Sequence, residues 1–434
     1  MPDTSVDFLS PGPRKRLAVI GGGISGLGAA WLLKDQFDIT LFEAEERLGG
    51  HARTCLAGPD RNIPVDTGFM VFNSETYPNL IRMFGELGVA SVETSMSFAV
   101  SLDNGDFEYG LTNLSRVLAQ PLNAISPQFI GMVRDIVKFN RHAEKSITNN
   151  NMSLGELLMN MDMGDAFCDR YLYPLAGAIW STARDDMHSF PASSFVRFFK
   201  NHGLLSAHNG PKWRTVSGGS RSYVDKLASQ LEAAGVTIKT GSPATAVGRS
   251  PTPWVKIADA EKEAFDQLIM ATHADQTKKL LSDASSVESE ILGALKYRPN
   301  KAFLHGDISH MPKRKNAWSC WVYRGDSKTP ETTGSFTYWM NELQHIDKQT
   351  PVFVTLNPKS SIREDLIYDE TTFYHPQFDL SALEAQQNLP SIQGLKNTWF
   401  CGAYARYGFH EDGLWSAVEV ANRLTTKELK ETFA

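Results

Sequence analysis

Leu17-Ala18-Val19-Ile20 runs directly into Gly21-Gly22-Gly23-Ile24-Ser25-Gly26, and Leu27, Ala30 and Leu33 then repeat at helical spacing. A second apolar run, Ile39-Thr40-Leu41-Phe42, ends on Glu43. Strand, glycine turn, helix, strand and acidic residue in this order predict a βαβ unit that binds a dinucleotide. Gly21 suits the tight turn, Gly23 the close approach of backbone to a pyrophosphate, and Gly26 the packing of helix on strand. Ile24 and Ser25 open the helix, where unsatisfied N–H groups and the positive dipole end favour an anion. Glu43, 22 residues beyond Gly21, is placed to accept hydrogen bonds from a ribose diol and to disfavour a 2′-phosphate. An ordinary α/β turn is the plain alternative, and the intact flanks argue against it.

The 434 residues suffice for two structural domains with a large core. A net charge of -6 gives no bulk reason to bind nucleic acid. Arg14-Lys15-Arg16 reads as a solvated lead-in to the first strand. Residues 1–13 lack the apolar centre of a signal peptide, and no run approaches a membrane-spanning length. Cys55, Cys168, Cys320 and Cys401 lie far apart, so the expected setting is reducing and cytoplasmic. Peripheral contact with the inner membrane stays open.

Past Glu43, the segment Ala44-Glu45-Glu46-Arg47-Leu48-Gly49-Gly50-His51-Ala52-Arg53 sets paired glycines between two arginines, suited to a second phosphate face or to plain surface charge. Val65 to Asn73, containing Thr67, Gly68 and Phe69, reads as a buried turn beside a ligand. Residues 98–109 predict a hairpin turning at Asp103-Asn104-Gly105. Residues 112–207 predict a mostly helical insert, broken near Pro121, Pro127 and Asn149-Asn150-Asn151. Phe190, Phe195, Phe198 and Phe199 close it, either as core or as the lining of a hydrophobic tunnel. After Gly218-Gly219, the strand Phe265 to Ala271 carries Thr272 and His273 at its carboxyl end, where a ligand of an open α/β sheet binds. Runs at 302–305, 317–323, 334–339 and 352–356 predict a second sheet. The fold class is therefore α/β, a Rossmann-like domain interwoven with an α+β substrate domain. The expected division assigns 15–100, 208–275 and 393–429 to the dinucleotide-binding domain, and 101–207 and 276–392 to the substrate domain.

These motifs, together with Gly402…Gly413 before a last helix, resemble the FAD-dependent amine oxidase / phytoene desaturase superfamily, whose architecture is akin to p-hydroxybenzoate hydroxylase. Phe400-Cys401-Gly402-Ala403-Tyr404, Tyr407-Gly408-Phe409-His410-Glu411-Asp412-Gly413, Tyr338-Trp339-Met340-Asn341 and His375-Pro376 are similar to a narrower bacterial branch of predicted NAD/FAD-binding proteins. That branch is often encoded beside cyclopropane-fatty-acid synthase-like enzymes. The resemblance implies FAD, with Gly21, Gly23 and Gly26 at the pyrophosphate and Glu43 at the ribose. It implies Arg47 and Gly50 at the phosphates and ribityl side, Val247 at the adenine, and Gly402 and Leu414 by the ribityl chain and flavin ring. Lys301 would match a lysine that holds water at flavin N5. Two positions depart from the pattern: Leu414 stands where amine oxidases place an aromatic cage wall, and His51 replaces the usual arginine.

Hydride transfer to flavin N5 needs a dry apolar channel and no nucleophile or metal. There is no G-x-S-x-G or H-E-x-x-H, and the histidines are poorly grouped for zinc. The candidate catalytic groups are His410, Glu411, Tyr338, Asn341 and Lys301, with His273 behind them. The expected activity is oxidation or desaturation of a hydrophobic, fatty-acyl or phospholipid substrate, with dissociable FAD. Alternatives are a double-bond isomerase, an amine oxidase, or a non-catalytic flavoprotein partner of a lipid methyltransferase.

Overall fold

The structure, a computed structural model, describes residues 14–149, 152–180, 187–201, 203–205, 211–258, 260–327 and 334–425. The first apolar run forms the strand Arg16–Ile20 at the centre of a five-stranded parallel sheet. Its order is Thr237–Lys239, Asp38–Phe42, Arg16–Ile20, Gln267–Met270, Thr398–Phe400. Leu17, Ala18 and Val19 are fully buried, as expected for a strand covered on both faces. The helix Ile24–Leu33 buries nine of its ten residues between this sheet and the last helix, His410–Leu424. An all-round apolar sequence suits that position.

The chain leaves this layer and enters a seven-stranded sheet at Phe98. The order is Ile367–Pro376, Tyr297–His305, Phe353–Leu356, Ser335–Trp339, Trp321–Gly325, Phe98–Leu102, Phe107–Gly110. All its pairings are antiparallel except Trp321–Gly325 with Phe98–Leu102. The hairpin turns at Asp103, Asn104 and Gly105, all at positive φ. Several strands have no clear sequence signal, two of them next to the site. Ile367–Pro376 is an edge strand whose residues are mostly half-buried and polar, and Trp213–Val216 pairs with only short partners.

Helices fill much of the insert: Pro127–His142, Leu154–Asn160, Tyr173–Trp180 and Ala192–Asn201. The expected break near Pro127 falls at Ser126, which is extended, and Pro127 starts the next helix, because a proline at the first turn gives up only an N–H that has no intrahelical partner. Of the expected break at residues 149–151, Asn150 and Asn151 lie outside the described residues. Pro174 sits inside helical structure that widens to a π-helical stretch over Cys168–Leu172. Proline cannot donate to the carbonyl four residues back, Arg170, and the Tyr109 hydroxyl donates to it instead at 2.6 Å.

Two hydrogen-bonded hubs join the layers. Asp66 accepts from Ser220 N and Oγ, Thr54 Oγ1 and Gln344 Nε2. This explains Gly219, since a Cβ there would lie 2.6 Å from the Thr54 methyl that the hub brings close, while Gly218 is set by its backbone, at φ +77. Arg53 grips Asp369 of the edge strand with both guanidinium nitrogens, at 2.5 and 3.1 Å.

Candidate active site

The parallel strands end together, and their carboxyl ends open onto a cavity of about 1290 Å³. Gly21 turns the chain at φ +109, and a Cβ there would meet Ala271 O at 2.8 Å. A Cβ on Gly26 would lie 1.8 Å from Gly21 O, so this glycine seats the helix on the strand. Gly23 is different: a Cβ there would meet no protein atom within 4 Å. It would project into open space at the start of Ile24–Leu33, where no side chain caps the helix. Gly50 packs against Gly23, its own added Cβ 3.2 Å from Gly23 Cα. The result is a backbone-walled anion cradle.

Glu43 stands at one side of the cradle. Its carboxylate accepts from Gly22 N at 2.6 Å and Glu45 N at 2.8 Å, which fixes its orientation. Ala44, Arg47, Ser242, Ala244 and Thr272 continue this end of the wall. Arg47 donates to Gly50 O at 2.9 Å, holding the second glycine turn in place. Beyond the cradle come His51, Thr67, Gly68, Phe69, Gly402 and His410.

Three histidines from separate elements meet here. His51 lies 5.9 Å from His273 and 5.7 Å from His375, ring to ring. His273 stacks on Tyr297 at 4.4 Å, and Asn300 Nδ2 lies 2.8 Å from His375 Nδ1. Burial, reinforced by the neighbouring imidazoles, pushes His51 well below its ordinary pKa and His375 down to about 4. His410 stacks on Phe69 at 3.9 Å, and its Nε2 lies 2.6 Å from the Tyr223 hydroxyl. Burial brings its pKa down to about 3. At neutral pH these rings are uncharged. The sequence marked His51, His273 and His375 separately, but no spacing signalled that they converge.

Several expected positions lie elsewhere. Lys301 is exposed on its strand and pairs with Glu370, because strand alternation turns it away from the cavity. Glu411 accepts from Asn79 N, Asn79 Nδ2 and Leu80 N, capping the helix Pro78–Glu86. Asn341 is fully engaged by the Asp347 and Thr350 carbonyls and by Val352 N. Val247 is buried in a small antiparallel sheet with its carbonyl bonded to Ser282, so Ser242 and Ala244 supply the wall instead. Leu414 is a packing residue, since a Cβ on Gly28 would lie only 2.5 Å from its Cδ1. Gly413 likewise allows the last helix to touch Ile24 and Ser25. Tyr338 does line the cavity, edge-on to Trp321 at 4.9 Å.

Towards the insert the wall becomes apolar and aromatic, with Phe98, Ile136, Leu175, Ile179, Phe198 and Trp321. Of the four clustered phenylalanines, Phe198 lines the cavity and stacks on Phe409 at 5.0 Å, while Phe190, Phe195 and Phe199 are core. Among the described lining residues the only carboxylates are Glu43 and Glu45, both at the far end. The buried Tyr404 hydroxyl, Asn140 Oδ1 and Trp321 Nε1 belong to the wall and have no hydrogen-bond partner among the described residues. A cradle open at Gly23 and a carboxylate set for a diol fit a bound dinucleotide.

Comparisons with known proteins agree. Over 288 residues the chain is 26% identical to a coproporphyrinogen III oxidase of Mycobacterium leprae (strain TN), covering 61% of this chain and 60% of that one. The chain thus spans under two thirds of that relative. A fatty acid isomerase from P. acnes superposes with a TM-score of 0.67 at 14% identity, covering 96% of this chain and 100% of the other. A triple variant of putrescine oxidase superposes with a TM-score of 0.68 at 14% identity, covering 95% and 98%. Such low identities speak for the fold alone. The model of the flavin containing amine oxidoreductases matches residues 24–425, and the chain belongs to that family of FAD-dependent oxidoreductases.

Proposed function

We propose that this flavoenzyme oxidises or desaturates a hydrophobic substrate, an acyl chain of a fatty acid or phospholipid. The observation that carries the reading is the apolar half of the cavity, which holds no described carboxylate to pair with an ammonium. A polyamine would lose its hydration there without a counter-charge, whereas an acyl chain gains by leaving water. The resemblance to the branch encoded beside cyclopropane-fatty-acid synthase-like enzymes points the same way, and makes a lipid methyltransferase the expected partner.

Bound FAD supplies a hydride acceptor. The chain's own residues do the rest. Gly23 and the N–H groups of the first helical turn hold the pyrophosphate, and Glu43 the ribose. Phe98, Phe198, Trp321 and Tyr338 exclude water and keep a chain extended. His410 presents a neutral ring fixed by Phe69 and Tyr223, a wall that carries no charge to the reacting carbon.

A second reading, double-bond isomerisation, is supported by the full-length likeness in fold to a fatty acid isomerase. One experiment separates them: anaerobic mixing of the yellow protein with bacterial lipid extract, followed near ~450 nm where oxidised flavin absorbs. Bleaching with loss of two hydrogens from a consumed acyl chain is the expected result. Turnover with unchanged product mass supports the isomerase. Bleaching by amines and not by lipids overturns the substrate class. No reduction by either, with a methyltransferase co-purifying, supports the partner role.

A further inference from the structure

The helix Pro127–His142 has two apolar faces. Phe129, Met132 and Phe139 point into the core, and Ile136 and Asn140 line the cavity. The adjoining face, about 100° round the helix, carries Ile130, Val133 and Val137, spaced three and four apart. Leu114, Leu122 and Ile125 precede it on neighbouring turns, and these six residues are each 40% to 75% exposed. Scattered apolar residues on a surface are ordinary, but six in one short segment are not.

The charge of the same segment is inverted relative to the whole. The protein carries -6, yet residues 112–146 hold five basic residues, Arg116, Arg134, Lys138, Arg141 and Lys145, against Asp135 and Glu144. Asp135 is buried and ion-paired with Arg134 at 3.2 Å, and Glu144 is paired with Lys200. Arg134 and Arg141 fall on the outward face beside Ile130 and Val137, and Arg134 is 78% exposed. An apolar stripe rimmed by arginine and lysine matches an anionic bilayer surface, whose headgroups take the cations while the acyl boundary takes the aliphatic side chains.

We infer that the segment from Leu114 to Val137 is a docking surface for an anionic lipid bilayer, placing the inner face of Pro127–His142, and with it the cavity, next to the membrane. The inference deepens the acyl-chain reading by naming where the substrate is met. A helix is roughly 10 Å across, so an acyl chain passing beside it travels little more than that from bilayer to cavity. A second protein would also cover apolar side chains, but the basic excess of the segment, in a chain of net charge -6, favours an anionic lipid surface.

The test uses the full-length FAD-loaded protein and sedimentation with vesicles, one set of phosphatidylcholine alone and one containing phosphatidylglycerol. Wild type is expected to bind the phosphatidylglycerol vesicles and to lose binding as salt rises. The triple variant Ile130→Gln, Val133→Gln, Val137→Gln, all at exposed positions, is expected to lower partitioning by roughly a hundredfold, the scale of three aliphatic side chains that no longer leave water. Arg134→Gln with Arg141→Gln is expected to remove the preference for phosphatidylglycerol. Flavin content and melting temperature report folding in each variant. No binding by wild type, or undiminished binding by the folded triple variant, overturns the inference. So does a dimer in solution that the triple variant makes monomeric, since that assigns the face to a second copy. Because vesicle binding needs no turnover, and bleaching can be followed with detergent-dispersed lipid, failure of one does not imply failure of the other.

Discussion

Replacing Gly23 with alanine separates the cofactor site from the fold that carries it. Gly23 has φ -76 and ψ -176, an extended conformation open to alanine, and the added Cβ meets no protein atom within 4 Å. The apoprotein should therefore melt as wild type does, within about 1 kcal/mol. The methyl group nevertheless occupies the space through which a pyrophosphate approaches the first N–H groups of the helix. Losing two charge-assisted hydrogen bonds, at roughly 1.5–3 kcal/mol each, weakens FAD by about 3–6 kcal/mol, or roughly a hundredfold to ten-thousandfold in Kd. Titration of the apoprotein with FAD, followed by flavin fluorescence, gives the affinity, and circular dichroism melting gives the stability. Gly26→Ala is the opposite case, because its Cβ would lie 1.8 Å from Gly21 O and must push helix from strand. That variant should lose stability first and affinity in consequence. A Gly23→Ala protein that binds FAD within about threefold of wild type would refute the placement of the anion at this helix.

Lys301→Met should leave the rate of flavin reduction unchanged in stopped-flow, because the side chain is exposed and paired with Glu370. Glu411→Ala should cost about 1–2 kcal/mol in urea unfolding through the lost cap on Pro78–Glu86, with FAD affinity and reduction rate retained. The pH response follows from the depressed histidines. A group whose folded pKa lies below its unfolded value adds stability that is full above about 6.5 and lost as pH falls through the folded value, about 4 for His375 and about 3 for His410. Burial raises Asp66 to about 6 and Glu411 to about 7, and these carboxyls act in reverse, adding stability below about 4 that is lost as pH rises through 6 to 7. Melts of His410→Gln against wild type should coincide near neutrality and diverge below pH ~5 by up to about 5 kcal/mol, and parallel curves would contradict the buried neutral ring.

The dinucleotide half was legible because its signals are local. A strand, a glycine turn and a helix lie within residues 16–42, and each glycine has one backbone reason. The same legibility misled at Leu414 and Val247, where matching a motif position said nothing of which way a side chain or carbonyl turns. Lys301 failed for the period of two, since a strand can be identified without knowing which face of it is buried. The histidine trio was invisible for another reason. Residues 51, 273 and 375 are brought together by the Arg53–Asp369 grip and by an edge strand too polar to announce itself. Glu411 shows the limit of reading a dense polar group as chemistry, because a helix start needs acceptors as much as an active site does.

The cavity links stability to occupancy, and the two ends of the dinucleotide should act on different parts of the chain. The cradle side rests on the parallel sheet, whose strands are buried and paired on both edges of Arg16–Ile20. The far side is formed by turns, 51–52, 67–70 and 402–409, held by local backbone bonds such as Phe69 N to His51 O and Gly408 N to Ala403 O rather than by a sheet ladder. ADP fills only the adenosine and pyrophosphate positions, so it should raise hydrogen-exchange protection at Ile24–Leu33 and leave those turns near their apo rates. FAD reaches past the cradle and should slow exchange at both. At a thousandfold excess over its Kd, FAD should add about 4.1 kcal/mol to unfolding. ADP at the same multiple of its own Kd must add the same amount, so the regional pattern, not the melting temperature, is diagnostic. Equal protection of the turns by ADP and FAD would mean that the two ends are rigidly coupled through the Asp66 hub, and that the wall around His51 and His410 is set before the flavin arrives.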